Sequence, residues 1–240
     1  MSEPVSDILL IHGSGHGAWC FEPLIGKLQA LGHSARAIDL PGAGDDPTPP
    51  AEVTLARYAE AICAALGRNT LLLGHSAAGY AITAAAERAP ERIARLVYLC
   101  AYVPEPGRSM LDLMRDAPRR PLHGRLTKSD DGLCYSAPAE VAEECFYHDC
   151  TEAQRAFAIP RLSPQPIAPQ AEVVNLSKVS QSLPRSYILC RDDRTIPPEH
   201  QAAMTAGWPR ADVHELASGH SPFLSMPAEL AALIDRLARQ

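Results

Sequence analysis

Residues 71–79 read LLLGHSAAG, and this stretch predicts the fold. The three leucines form a short apolar strand, and Ser76 lies at the tip of the turn that follows, directly before an alanine-rich helical segment. A serine in such a strand–turn–helix usually lies in the pattern G-x-S-x-G, but here Ala78 holds the fifth position and Gly79 comes one place late. The turn brings the residues two before and two after the serine together, so both must be small, and Gly74 and Ala78 are. Taken alone, the stretch fits a nucleophilic serine and a serine that caps a helix equally well.

Apolar strands alternate with helical segments on both sides of this turn. The predicted strands span residues 7–11, 34–38, 70–73, 93–99, 186–190 and 212–216, and the predicted helices span 19–31, 54–66, 77–88, 198–206 and 227–238. This alternation predicts a parallel sheet with helices on both faces, and the continuous apolar runs are typical of strands buried on both sides. The predicted fold class is therefore α/β, with a mostly parallel sheet of about six strands.

The alternation stops after the fourth strand. Residues 104–183 are rich in proline and contain no clear strand, but they include short helical segments, for instance at 139–146 and 151–158. We interpret this part as a helical cap inserted into the sheet domain. The predicted domains are a core of residues 1–103 and 184–240 and a cap of residues 104–183.

Composition limits the partners and the compartment. The chain has 240 residues and a net charge of −6 without a basic run, so we expect neither nucleic acid nor an anionic membrane as partner. Residues 1–13 lack the pattern of a signal peptide, and no apolar run is long enough to span a bilayer. The seven cysteines form no C-x-x-C pair, which favours reduced thiols in a cytoplasmic protein. The expected partner is a small molecule, and a homodimer stays open.

A nucleophilic serine needs a base and an acid at the same edge of the sheet. His220 is the predicted base, because it lies in a glycine-containing loop, ASGHSPF at residues 217–223, between the last strand and the last helix. The acid would orient the imidazole and stabilise its positive charge. Asp192 and Asp193 both follow the strand that ends at residue 190, and the residues alone do not choose between them.

The loop after the first strand, IHGSGHG at residues 11–17, is a candidate oxyanion hole. Glycines let the backbone approach a developing negative charge closely. Its two N–H donors would come from Ser14 and from Ala77, the residue after the serine. A phosphate-binding loop is the alternative, but the segment matches neither G-x-G-x-x-G nor the P-loop.

Together these segments resemble the α/β-hydrolase superfamily, and within it the branch of plant methyl esterases, salicylate-binding esterases and hydroxynitrile lyases. The resemblance is carried by residues 9–44, 71–81, 188–201 and 217–234, which span nearly the whole chain. It implies a carboxylesterase-type enzyme that needs no cofactor or metal and acts on a small-molecule ester through an acyl-enzyme. It also implies the triad Ser76–His220–Asp193, which selects Asp193 over Asp192. In such proteins the cap covers the site, so the cap residues Tyr147 and His148 are expected to line the substrate pocket. Gly13 and His16 of the glycine loop are further candidate substrate-binding residues.

Two departures from the lyases bear on the chemistry. Lyases that resemble this chain carry a threonine at position 13 and a lysine after the catalytic histidine, where this sequence has Gly13 and Ser221. Since that lysine stabilises the leaving cyanide, its absence favours ester hydrolysis. C–C bond or lactone hydrolysis, or lyase chemistry, on the same scaffold is the alternative. A binding protein without catalysis is a further one, against which all three triad residues are present.

Overall fold

A computed structural model describes residues 6–240, and a six-stranded parallel sheet forms its centre. The strands are β1 Asp7–Ile11, β2 Ser34–Ile38, β3 Thr70–His75, β4 Ile93–Leu99, β5 Thr127–Lys128, β6 Cys134–Ser136, β7 Gln165–Pro166, β8 Arg185–Cys190 and β9 Val213–Leu216. The central sheet has the order β2-β1-β3-β4-β8-β9, and all its neighbours pair in parallel. The predicted fold class is confirmed.

Helices cover both faces of this sheet. They are α1 Glu22–Ala30, α2 Leu55–Ala65, α3 Ala78–Arg88, α4 Met110–Asp116, α5 Ala139–Val141, α6 Glu152–Ala158, α7 Ala168–Ala171, α8 Lys178–Ser182, α9 Pro198–Met204, α10 Pro222–Ser225 and α11 Pro227–Ala238. Side chains of a strand point alternately to the two faces. Accordingly, Ile8 and Leu10 pack in one buried cluster with α1 and α11, whereas Leu9 and Ile11 pack in the other with α2 and α3.

The strand order places a crevice above β1 and β3. These strands pair with Leu9 opposite Leu72 and Ile11 opposite Gly74, while β2 lies beyond β1 on the other side. The chain thus reverses its direction of winding between β1 and β3, and ligands of open parallel sheets bind at the carboxyl ends of strands at such a point. The glycine loop and the serine turn both begin there.

The insertion between β4 and β8 differs in two respects from the sequence-based expectation. It contains a small antiparallel sheet, β5-β6-β7, in which two strands are only two residues long. The segment 139–146 is also not one α-helix, because three α-helical residues run into a π-helix from Ala142 to Phe146. Strands this short bear no detectable alternation, and Pro166 ends β7. The domain bounds at 103/104 and 183/184 stay a prediction.

Two expectations concern the surroundings of the chain. No helix among residues 6–240 is both long and apolar enough to cross a membrane. The expected lack of a signal peptide concerns residues 1–13, of which 1–5 lie outside the described residues. All seven cysteines are free thiols, and six of them are buried.

Candidate active site

The turn at Ser76 is strained and tightly packed. Ser76 has φ +55°, the left-handed region that favours glycine, and is one of three non-glycine residues described with positive φ. A Cβ at Gly74 would lie 2.9 Å from the Ala78 carbonyl oxygen, so the strand side of the turn has no room for a side chain. A Cβ at Gly79 would lie 2.0 Å from the Tyr102 carbonyl oxygen. Both glycines are therefore required by close approach of backbone.

The fifth position of the pattern needs only a small side chain. Ala78 is 2% exposed and opens α3, and its carbonyl lies against Gly74. The glycine that comes one place late has its own role, because Gly79 lets the helix approach the chain after β4. There the N–H of Tyr102 donates to the Ser76 carbonyl at 3.1 Å, which fixes the turn to the neighbouring strand end.

His220 and Asp193 form a buried hydrogen-bonded pair. His220 Nδ1 lies 2.8 Å from Asp193 Oδ2, and both residues are at most 3% exposed. The N–H groups of Thr195 and Ile196 donate to Asp193 Oδ1 at 2.7 and 2.9 Å. The side-chain amide of Gln201 donates to Oδ2 at 3.0 Å. These donors hold the carboxylate in place and satisfy its charge without a cation, which leaves it able to orient the imidazole.

Two buried side chains, His75 and Cys100, contact the backbone carbonyl of His220. His75 Nε2 lies 2.9 Å from the His220 carbonyl oxygen, and Cys100 Sγ donates to the same oxygen at 3.5 Å. The rings of His75 and His220 are 4.5 Å apart, and burial lowers the pKa of His75 well below its usual value. Ligand atoms of His75, Cys100 and His220 lie within 4.8 Å of one another, as metal ligands can. Because the first two side chains already bond the carbonyl, we assign the cluster to positioning of the loop.

His12 fixes the peptide that presents the Ser14 N–H. The N–H of Leu40 donates to His12 Nε2 at 3.1 Å, so His12 Nδ1 carries the proton and donates to the Gly13 carbonyl at 2.9 Å. In a trans peptide the N–H of Ser14 points opposite to that carbonyl. Burial lowers the pKa of His12, which keeps the ring neutral and this tautomer in place. Sequence reasoning did not single out His12, although it opens the glycine loop.

His16 continues this network into the cap. Its Nδ1 lies 2.9 Å from the Ser14 carbonyl oxygen, which can only accept, so Nε2 accepts from the Tyr147 hydroxyl at 2.7 Å. Burial lowers the pKa of His16 to about 3, so the ring is neutral at physiological pH. His12 and His16 therefore hold two successive carbonyls of the glycine loop, those of Gly13 and Ser14, and set the direction of its backbone.

A cavity of about 80 Å³ opens above the serine turn, and we call it the inner cavity. Its wall includes Ser14, His16, Ser76, Ala77, Met110, Phe146, Leu162, Gln165 and His220. No Asp, Glu, Lys or Arg lies among the described residues that line it. Within residues 6–240, the N–H groups of Ser14 and Ala77 donate to no protein acceptor. Hence Ser76, His220 and the two residues that carry these N–H groups line one largely apolar space.

Not every residue expected at the substrate reaches this space. Gly13 lies below it, where an added Cβ would be 2.8 Å from both Ser76 Cβ and His75 Nδ1. Tyr147 is fully buried behind His16, and His148 packs against Gly219 in the loop before His220. The structure thus places Tyr147 and His148 behind the wall of the inner cavity, because their ring positions are taken up by contacts with the two loops.

Two cap glutamines were missed by sequence reasoning. Gln165 Oε1 accepts from the N–H of Gly15 at 3.1 Å, and Gln170 Nε2 donates to Ser14 Oγ at 2.8 Å. Each glutamine is far from its partner in the sequence, by 150 residues for Gly15–Gln165 and 156 residues for Ser14–Gln170. A pattern of neighbouring residues cannot predict hydrogen bonds between segments this far apart in the sequence.

Comparison with known proteins agrees with this architecture. The family model described as "Alpha/beta hydrolase family" matches residues 8–233. The chain is 29% identical to Methylesterase 17 of Arabidopsis thaliana, over 96% of this chain and 90% of that protein. It is 27% identical to Esterase PIR7B of Oryza sativa subsp. japonica, over 97% and 95% of the two chains.

Solved structures give the same result. A pyrethroid hydrolase from Sphingobium faniae JZ-2 superposes with a TM-score of 0.85 at 27% identity, over 98% of each chain. Polyneuridine aldehyde esterase, at 23% identity and a TM-score of 0.86, shares the fold over 98% of this chain and all of its own. The expected enzyme class, a carboxylesterase-type α/β-hydrolase, is confirmed at the level of family and relatives. The plant methylesterases and esterases are thus relatives that this chain resembles, and the chain itself belongs to the alpha/beta hydrolase family.

Proposed function

We propose that this protein hydrolyses a small carboxylic ester with Ser76 as nucleophile, His220 as general base and acid, and Asp193 as the residue that orients His220. The observation that carries the proposal is that His220, hydrogen-bonded to Asp193 at 2.8 Å, lines the same cavity as the strained Ser76. Strain of this kind is typical of a nucleophile raised on a tight turn. The names of the relatives make methyl esters the first substrates to try.

The chemistry follows from the positions of the groups. Ser76 Oγ attacks the ester carbonyl while its proton passes to His220 Nε2, the ring nitrogen that Asp193 leaves free. The N–H groups of Ser14 and Ala77 stabilise the oxyanion. When the C–O bond breaks, His220 returns the proton to the departing alcohol. Water then attacks the acyl-enzyme, again through His220, and the carboxylic acid leaves with Ser76 restored.

Two features support hydrolysis over cyanohydrin cleavage. A threonine side chain at position 13 would collide with Ser76 Cβ and His75, since even a Cβ there lies 2.8 Å from both. Ser221, at the place of the lyase lysine, is fully buried and supplies no cation. The site thus has a space for an acyl group but no group to stabilise cyanide.

Hydrolysis of p-nitrophenyl acetate and of small methyl esters tests the proposal. Ser76→Ala should lower kcat/KM by roughly 10³-fold or more, because the triad acts as a unit. Ser34→Ala, a change at an exposed serine that starts β2, is the control and should keep full activity. A fluorophosphonate probe should label wild-type protein at Ser76. Ester turnover that persists in Ser76→Ala would rule the assignment out.

A further inference from the structure

A second, wider space continues the inner cavity toward the surface. It measures about 390 Å³, and we call it the outer groove. Four residues line both spaces, namely Tyr102, Met114, Leu122 and Thr195, so the two are contiguous. Its outer part is formed by the end of α4 and the segment that leads to β5, from Arg115 to Leu126. A substrate with its ester at Ser76 can therefore extend into this groove.

The outer groove has a strongly basic wall in an acidic protein. Arg115, Arg119, Arg120 and His123 line it, and among the described residues of the wall there is no Asp or Glu. The chain as a whole has 28 acidic and 22 basic residues, so this separation of charge is local. A wall of one sign concentrates field in a cleft and attracts the opposite charge.

The three arginines differ in how far their charge is already matched. Arg119 forms a two-contact ion pair with Glu199, and Arg115 lies 3.2 Å from Asp112. Arg120 is exposed and makes no ion pair or hydrogen bond with any described side chain. Glu199 and Asp112 stand outside the groove wall. Arg120 is thus the cation available to a ligand.

The inner cavity selects in the opposite way. Its wall carries no charged side chain, and burial holds His16 and His75 in their neutral forms. An ionised group placed there would lose its hydration without gaining a partner, which is costly. A charge on the substrate must therefore lie away from Ser76, in the outer groove.

On these grounds we infer, building on the proposed esterase function, that the preferred substrates are esters with a carboxylate at the end remote from the scissile bond. The neutral ester end occupies the inner cavity, and the remote carboxylate binds Arg120 in the outer groove. The guanidinium group suits a carboxylate because its N–H donors match the two oxygens. Arg120 is then a specificity-determining residue for this class of ester.

The test uses monomethyl esters of straight-chain dicarboxylic acids of increasing length. Each is paired with a neutral methyl ester of the same length and with an analogue that ends in a trimethylammonium group. At one chain length, kcat/KM should favour the half-ester over its neutral partner by roughly fivefold and disfavour the cationic analogue. The preference should shrink at high ionic strength, since salt screens exposed charges.

Arg120→Gln should abolish the preference, because kcat/KM falls for the half-ester and much less for its neutral partner. Arg210→Gln is the matched control, because Arg210 is also exposed but precedes β9 at the opposite end of the strands. Equal loss on charged and neutral esters in Arg120→Gln, or no preference for the half-ester at any length, would overturn the inference. Neutral-ester turnover that depends on Ser76 would still uphold the proposed function in that case.

Equilibrium binding tests the role of Arg120 in the outer groove independently of the proposed esterase function. The half-esters are titrated into the Ser76→Ala variant and into Ser76→Ala combined with Arg120→Gln, with the neutral esters as reference. We expect tighter binding of the half-ester that is lost with Arg120. This result would support the groove assignment even if wild-type protein hydrolysed no ester. Equal affinity in the two variants would refute it.

Discussion

At the scale of single residues, the serine turn shows which glycine the fold needs. Gly79 has no room for a Cβ, which would lie 2.0 Å from a backbone oxygen, whereas Ala78 has a methyl group in place and is 2% exposed. Gly79→Ala should therefore lower the free energy of unfolding by about 2–3 kcal/mol through overpacking. Ala78→Gly should cost only about 1 kcal/mol, the helix propensity of alanine over glycine.

Urea unfolding of the two variants measures this difference. Thr83 follows on the same helix, where its hydroxyl donates to the Gly79 carbonyl at 2.7 Å, so the backbone at Gly79 is held from both sides. Equal loss of stability in the two variants would contradict the assignment of Gly79 as the residue of close approach. The sequence pattern predicted small residues around Ser76. It did not explain why a glycine stands at position 79, because the contact that requires it is made by Tyr102, which follows a different strand.

At the scale of elements, the cap holds the loops that carry the site. One such contact joins Asp149 Oδ2 in the cap to the N–H of Gly219, at 2.7 Å, directly before His220. Asp149→Ala removes this acceptor. Because a hydrogen bond to a charged group is stronger than a neutral one, and this bond fixes the loop that carries His220, we expect kcat to fall roughly tenfold. Asp149→Asn keeps an oxygen acceptor and should retain most of the activity.

Steady-state kinetics on p-nitrophenyl acetate distinguishes positioning from simple loss of charge. Asp130→Ala, at another exposed carboxylate of the cap, is the control. A kcat for Asp149→Ala that equals that of Asp130→Ala would show that this contact does not position His220. A variant in which KM rises while kcat is unchanged would also contradict a positioning role for this contact.

The strands and helices of the central sheet were predictable because each bears its own periodicity. β1, β2, β4 and α11 have the bounds that the apolar runs indicated. The cap was less predictable, since β5 and β7 have two residues each and are defined by pairing with β6. The candidate triad followed from loops at strand ends and from the resemblance. Its supports, such as Gln201 and Asp149, depend on tertiary contacts that leave no mark on neighbouring residues.

At the scale of the whole molecule, buried histidines make the fold sensitive to acid. Burial is the largest cause of a lowered pKa at six of the nine histidines, and it lowers the pKa of His16 to about 3. An unfolded histidine titrates near pH 6.5, so below that pH the unfolded state binds more protons than the folded state. The contribution of these histidines to the free energy of unfolding is thus fully present above about pH 6.5 and is lost as the pH is lowered.

Urea unfolding between about pH 7.5 and pH 5 tests this, because carboxylates lose their contribution only at lower pH. His16 alone should account for a loss of about 2 kcal/mol at pH 5, at 1.4 kcal/mol for each pH unit below 6.5. His16→Gln should remove that share of the pH dependence, whatever the stability of the variant at neutral pH. A free energy of unfolding that stays constant or rises on acidification would mean that the buried imidazole rings bind protons without loss of stability. The assignment of His12 and His16 as neutral rings would then be wrong.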